Sequence, residues 1–251
     1  MMALAWNVIR ENLRNKVLYV LAGIGLLFLF VFLTGSGGKM TDGDGNNLLA
    51  TAAGAMKAGL AITGVLGALV TVVLSMNTVP REFERQTIHL LLVRPIERWQ
   101  LAGSFLLGNV LTAWVFLLAM SLPLFAGLAN RNAQGMFPAL AGALLLVGLN
   151  MAAIAGLTTA FSTVISGPAA AFMGLLMYGF GAFGPELSAL AARTPFSRLL
   201  VALLPPVGSL SGEAMKLFGP GALDGRAILV ALIYLWAVAG LTALGLQRRE
   251  V

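Results

Sequence analysis

The sequence predicts an all-α membrane protein: six transmembrane helices, an amphipathic interfacial helix at the N-terminus, and a short cytoplasmic helical pair between helices 2 and 3. Three observations lead there. Of 251 residues, 59% are apolar and 10% charged, and the mean hydropathy is +0.90, far outside the composition of soluble globular domains. Uncharged runs near the length of about 20 residues demanded by a bilayer core about 30 Å thick recur along the chain. The remaining charges fall between those runs. The chain is therefore read as one transmembrane domain, 1–251, in which 1–16 is interfacial, 80–98 cytoplasmic and 193–226 an extracytoplasmic connection.

Met2, Trp6, Ile9 and Leu13 recur at helical spacing, with Asn7, Arg10, Glu11 and Arg14 off that face. This predicts a helix lying in the headgroup plane with Trp6, Arg10 and Arg14 at the interface, either as a plain anchor or as a functional contact. The following run, 17–32, is too long for a signal-peptide core, and "TGSGGK" offers no small-residue cleavage site, so an uncleaved first span is expected. Further spans are predicted at 60–76, 99–128, 136–165 and 227–246. The run 169–192 makes the sixth, interrupted by Pro185 and Glu186. Gly64 with Gly67, and Gly142 with Gly148, suit helices packing closely in lipid.

Between spans 2 and 3 lies the most charged stretch, "REFERQTIHLLLVRPIERWQ". Pro80 suits the first turn of a helix, and Pro95 ends that helix near Val93 or Arg94 while starting the next, which runs through Trp99. Leu90, Leu91, Leu92 and Val93 are consecutive, so at about 100° per residue they cover every side of a turn and call for protein around them. Arg81, Glu82, Glu84 and Arg85 either pair with charges on a soluble partner or form a solvated cap over the bundle. A second amphipathic piece, Phe196, Leu199, Leu200 and Leu203, stops at Pro205 and Pro206. It is expected on the outer surface, as a lid over helix ends or as the wall of an exit.

Arg10, Arg14 and Lys16 precede the first span, whereas the Lys39 that follows it is offset by Asp42 and Asp44. The N-terminus is therefore expected in the cytoplasm, and six spans return the C-terminus there. Nine of the 16 Lys and Arg then lie inside and seven outside. The net charge of +6 fits orientation in a cytoplasmic (inner) membrane and contact with anionic lipid, not nucleic-acid binding. The chain has no Cys, which removes disulfides and thiolate metal sites.

Several chemical motifs fail. "GSGGKM" lacks the leading Gly and the hydroxyl residue after Lys39 that a phosphate-binding loop needs. "GFGAFG", 179–184, follows no strand and sits in an apolar helix, where close packing explains its glycines better. "DGDGNN" has Asn47 where a calcium loop needs Gly, and Ala53 where it needs Glu. His89 is the single His, and Met173 with Met177 reads as flexible packing rather than soft-metal ligation. No catalytic residue, metal site or cofactor is expected in this chain. No Asp, Glu, Lys or Arg falls in the middle of a predicted span, which counts against an ion-coupled carrier. Asn109 and Asn150 are the strongly polar candidates there, expected to join helices by hydrogen bonds.

"IRENLRNKVLY", "EFERQTIHLLLVRPIERWQLAGSFLLG", "FSTVISGPAAA", "LVALLPPVGSL" and "LQRREV" resemble the membrane subunits of type-2 ABC exporters. The nearest branch is the one labelled multicopper-enzyme maturation, which includes the nitrous-oxide-reductase maturation permease. The most specific part is the pattern of Glu84, Arg85, Thr87, Leu90, Leu91, Leu92, Pro95, Arg98 and Trp99, with Glu82 in its acidic-basic opening. The resemblance implies that this segment is a coupling helix docking on an ABC ATP-binding subunit. It implies a half-transporter that pairs with a second copy or a close paralogue. Two ATPase copies, which bind ATP and Mg, would drive export of an unidentified substrate. Two features depart from the family: "LLPPVGSL" replaces a Leu-Pro-Asn type of pattern, and no copper ligands are evident. Two other functions fit the residues. One is mechanical transmission to an extracytoplasmic partner through the loops near Asp42 and Phe196; the other is an ATP-independent carrier or scaffold.

Overall fold

The computed structural model describes residues 2–35, 52–80, 98–184, 186–187, 204–219 and 223–248. Among the described residues the chain is helical without strands: α1 (Met2–Leu13), α2 (Lys16–Gly35), α3 (Ala52–Met76), α4 (Arg98–Asn130), a 3-10 turn (Gln134–Met136), α5 (Phe137–Ser162), α6 (Gly167–Ala182), α7 (Val207–Lys216) and α8 (Gly225–Arg248). α2, α3, α4, α5 and α8 are long and apolar enough to cross a membrane. Each coincides with a predicted run, because in hydrocarbon an apolar segment must satisfy its own backbone groups, and a helix does so within the segment. The protein is thus a multi-pass helical membrane protein.

Of the predicted run 169–192, residues 185 and 188–192 lie outside the described residues, and the described part is mainly α6. α6 itself has 16 residues, about 24 Å at 1.5 Å per residue, and residues 186–187 beyond it are helical again. At Gly181, one residue before α6 ends, an added Cβ would stand 2.6 Å from the Pro205 carbonyl oxygen, so the returning chain lies directly on the helix. After Pro206 the chain forms α7, which the sequence reading did not anticipate. Its Val207, Leu210 and Ala214 are buried at a spacing that makes one helical face, and α7 packs on α5 and α6. The expected amphipathic piece at Phe196 to Leu203 lies outside the described residues.

α5 is the axis of the bundle. In its spanning stretch 78% of residues are buried, against 22% for α2 and 17% for α8. Val147 and Met151 of α5 meet Leu60 and Leu74 of α3 and Phe116 and Met120 of α4 in the main core. α2 and α8 instead turn Phe28, Phe30, Ile233 and Trp236 outward, which suits helices bordering lipid.

Small residues set the spacing of this core. The Trp114 indole N–H donates to the Gly148 carbonyl at 3.2 Å, and a Cβ at Gly148 would press on that ring at 3.1 Å. Gly67 lies against Met151, and Gly142 against Leu217. Gly64 corrects its sequence reading: nothing stands within 4 Å of where its Cβ would be, so it borders open space. In "GFGAFG" only Gly181 packs closely, while Gly179 and Gly184 also face open space. The tight α4–α5 connection passes through Asn132 at φ 54°, a left-handed conformation that Asn tolerates better than most side chains.

Candidate functional site

The structure rotates α1 relative to its sequence reading. Its packed face is Ala5, Val8, Ile9 and Asn12, all buried, whereas Trp6 is 66% exposed and Arg10 and Arg14 are exposed as well. The physical reason lies on α4, where Gly108 leaves room for a close approach. A Cβ there would stand 2.6 Å from Val8 Cβ and 3.1 Å from the Ala5 carbonyl oxygen. The small side of α1 therefore faces the bundle, and the bulky indole points away from it. α1 is an integral part of the bundle as well as an amphipathic helix.

Asn12 and Asn109 then meet. Asn12 Nδ2 donates to Asn109 Oδ1 at 2.9 Å, and Asn109 Nδ2 donates to Thr159 Oγ1 at 3.1 Å. Thr159 passes its own proton to the Ala155 carbonyl at 2.7 Å. Thr78 approaches the same Asn109 Oδ1 at 3.0 Å while lying 3.1 Å from the Leu74 carbonyl, so one hydroxyl proton is shared between two acceptors. Asn12, Asn109 and Thr159 are all at most 7% exposed. One asparagine thus ties α1, the extension of α3, α4 and α5 together in a low-dielectric setting where satisfied networks are rigid.

Apolar packing surrounds this joint. Val8, Val79, Leu101, Ala102, Phe105 and Leu246 form a separate buried cluster, which adds α8 to the assembly. Gly245 of α8 abuts Thr163, just beyond α5, and Gly167 at the start of α6 abuts Asn77. α1 and four of the long helices, α3, α4, α5 and α8, converge at this end, where α6 also starts.

The sequence singled out Asn109 as a helix-joining residue, and the structure agrees. Asn12, Thr78 and Thr159 were missed, since hydroxyl residues in apolar helices usually bond back one turn, as Thr63, Thr71, Thr112 and Thr242 do here. Asn12 had a signal in its place on the α1 face that carries Ala5 and Val8. Of the predicted coupling residues, Glu82, Glu84, Arg85, Thr87, Leu90, Leu91, Leu92 and Pro95 lie outside the described residues. Arg98 opens α4, with its side chain not described. No cluster of three or more His, Cys, Asp or Glu that could hold a metal occurs among the described residues.

The opposite end of the bundle is held by charge. Glu213 of α7, 6% exposed, accepts from the Asp224 backbone N–H at 2.9 Å and from Lys216 Nζ at 2.5 Å. These bonds, the Asp224 amide foremost, hold the Glu213 carboxyl below the ordinary carboxylate value.

Residues 2–207 match the family model described as ABC-2 family transporter protein. No curated protein matches the chain. The matched stretch includes α1 through α6, and hence every residue of the Asn109 joint and all the long helices except α8. The chain therefore belongs to the ABC-2 family of transporter proteins, as a membrane-spanning subunit of an ABC transporter.

Proposed function

We propose that this chain is the permease of a type-2 ABC exporter of the multicopper-enzyme-maturation branch, and that segment 80–98 receives the motion of a separate ATPase. In this reading the permease pairs with a second copy or a close paralogue and works with two ATP-binding subunits, which bind ATP and Mg. Six spans, α6 among them, put both termini on the cytoplasmic side of an inner membrane. Glu82, Glu84, Arg85, Thr87, Leu90, Leu91, Leu92, Pro95 and Arg98 form the docking segment.

The observation that carries the reading is the joint at the α1 end. Val79 and Leu101, which flank segment 80–98 on either side, are buried in one cluster, and Thr78 of the same α3 extension bonds to Asn109 of α4. A push on 80–98 is therefore delivered to the ends of α3 and α4 at once. The Asn109 bonds pass it to α1 and α5 with little slack, because packed and fully bonded cores shift as units instead of deforming.

The test is co-purification from mild detergent with identification by mass spectrometry. Wild-type chain should bring down a soluble P-loop ATPase, and Glu84→Arg and Leu91→Asp should lose it while the bundle still inserts. If both variants retain the ATPase and support its normal turnover, the docking segment lies elsewhere and the proposal fails.

A further inference from the structure

A cavity of about 310 Å³ lies among α3, α5, α6 and α7, within the range of about 300–1,000 Å³ usual for small-molecule sites. Leu60, Val147, Asn150, Val207 and Ala214 form its buried floor, and Val65, 49% exposed, stands at its rim. It sits some nine residues along α5 from the Asn109 joint, about 14 Å at 1.5 Å per residue.

Its chemistry is one-sided. No lining residue is charged, and the polar groups on its wall are the Asn150 amide and the hydroxyls of Tyr178 and Ser211. Asn150 is 5% exposed, and its Oδ1 has no hydrogen-bond partner. A buried amide is normally satisfied, and one that is not points to a missing ligand or a cost tolerated for function. Ser75 Oγ and Thr158 Oγ1 also lack partners, but neither lines this cavity. The space itself is kept open by residues without side chains: nothing lies within 4 Å of a Cβ placed at Gly64 or at Gly212.

We infer that this cavity binds a small neutral amphiphile, an apolar body carrying a hydroxyl or amide that bonds to Asn150. Neutrality follows from the uncharged wall, where an unpaired ion would be heavily penalised. The polar anchor follows from Asn150, which among the polar lining residues carries a buried oxygen without a partner and whose amide can both donate and accept. The apolar body follows from the aliphatic floor. This site does not depend on ATPase coupling, so its test uses the permease alone.

The probe is a photoreactive diazirine analogue of 1-octanol, applied to the full chain in phosphatidylcholine nanodiscs, with labelled residues mapped by mass spectrometry. Trp236, 80% exposed on α8, reports labelling from bulk lipid and serves as the internal reference. Labelling at Tyr178 and Met215 relative to Trp236 should fall about fivefold or more in Asn150→Leu, which removes the anchor. It should fall likewise in Gly64→Leu, which fills the cavity from a position facing open space. In the wild-type chain, excess 1-octanol should compete and n-octane should not, a comparison that needs no variant to fold. Labelling at Tyr178 and Met215 that tracks Trp236 throughout would mean bulk lipid only and would overturn the site. Equal competition by octane, or full labelling in Asn150→Leu, would overturn the polar anchor and with it the inference.

Discussion

Asn109 and Asn150 pose the same problem and receive opposite answers. Both sit in apolar spanning helices, at 1% and 5% exposure. Asn109 links four segments through its amide, whereas Asn150 has an oxygen with no partner and borders a cavity. The difference lies in what the neighbouring helices bring. At the α1 end, Gly108 lets a second asparagine approach, and α3 and α5 supply hydroxyls. The cavity wall that Asn150 shares is mostly aliphatic, Leu60, Gly64 and Val147 among it, and the Tyr178 and Ser211 hydroxyls on that wall do not bond to its Oδ1. One end of the molecule is built to be stiff, and the other keeps space beside an unsatisfied polar group.

The largest expected effect tests the stiff end. Gly108→Leu must displace Val8 and the α1 backbone, and should destabilise the bundle by about 3 kcal/mol, measured by equilibrium unfolding in bicelles, with α1 becoming open to protease. A change within about 0.5 kcal/mol would show that α1 is not packed on α4. Asn109→Leu comes next, at about 2 kcal/mol, since it strands the Asn12 amide and takes one partner from each of the Thr78 and Thr159 hydroxyls, which keep their bonds to the Leu74 and Ala155 carbonyls, in a setting where each lost bond costs roughly 0.6–1.7 kcal/mol. A cost near zero would mean that the joint carries no stability.

Smaller effects are expected at the other end. Glu213→Gln should cost about 1 kcal/mol by weakening the bonds to Asp224 and Lys216. Because the folded carboxyl lies below its ordinary value of 4.5, its contribution is complete above that value and is lost as the pH falls through the lower folded one. Stability of the wild-type chain should therefore fall toward that of Glu213→Gln on acidification below about pH 4.5, and parallel curves would remove Glu213 as the cause. The smallest effect belongs to Asn150→Leu, which exchanges an unsatisfied amide for an apolar group and should change stability by no more than about 0.5 kcal/mol, in either direction. A loss as large as that of Asn109→Leu would erase the contrast between the two asparagines.

The sequence alone determined the membrane class and the places of the five long helices, because a run of some 20 apolar residues has few ways to satisfy its backbone in lipid, and the resemblance carried by its motifs implied the family that the match over 2–207 shows. It also marked Asn109 and Asn150 as unusual, since polar amides are rare in such runs. Only the tertiary structure decided which of the two is satisfied, which face of α1 is buried, that Gly64 borders space while Gly67 and Gly148 do not, and that the chain after Pro206 turns back as α7. Those outcomes depend on what a neighbouring helix places within a few ångströms. Lipid is as apolar as a leucine face, so hydropathy gives no preference for one face over another. Steric fit and hydrogen-bond partners make that choice, and both belong to pairs of helices brought together by the fold.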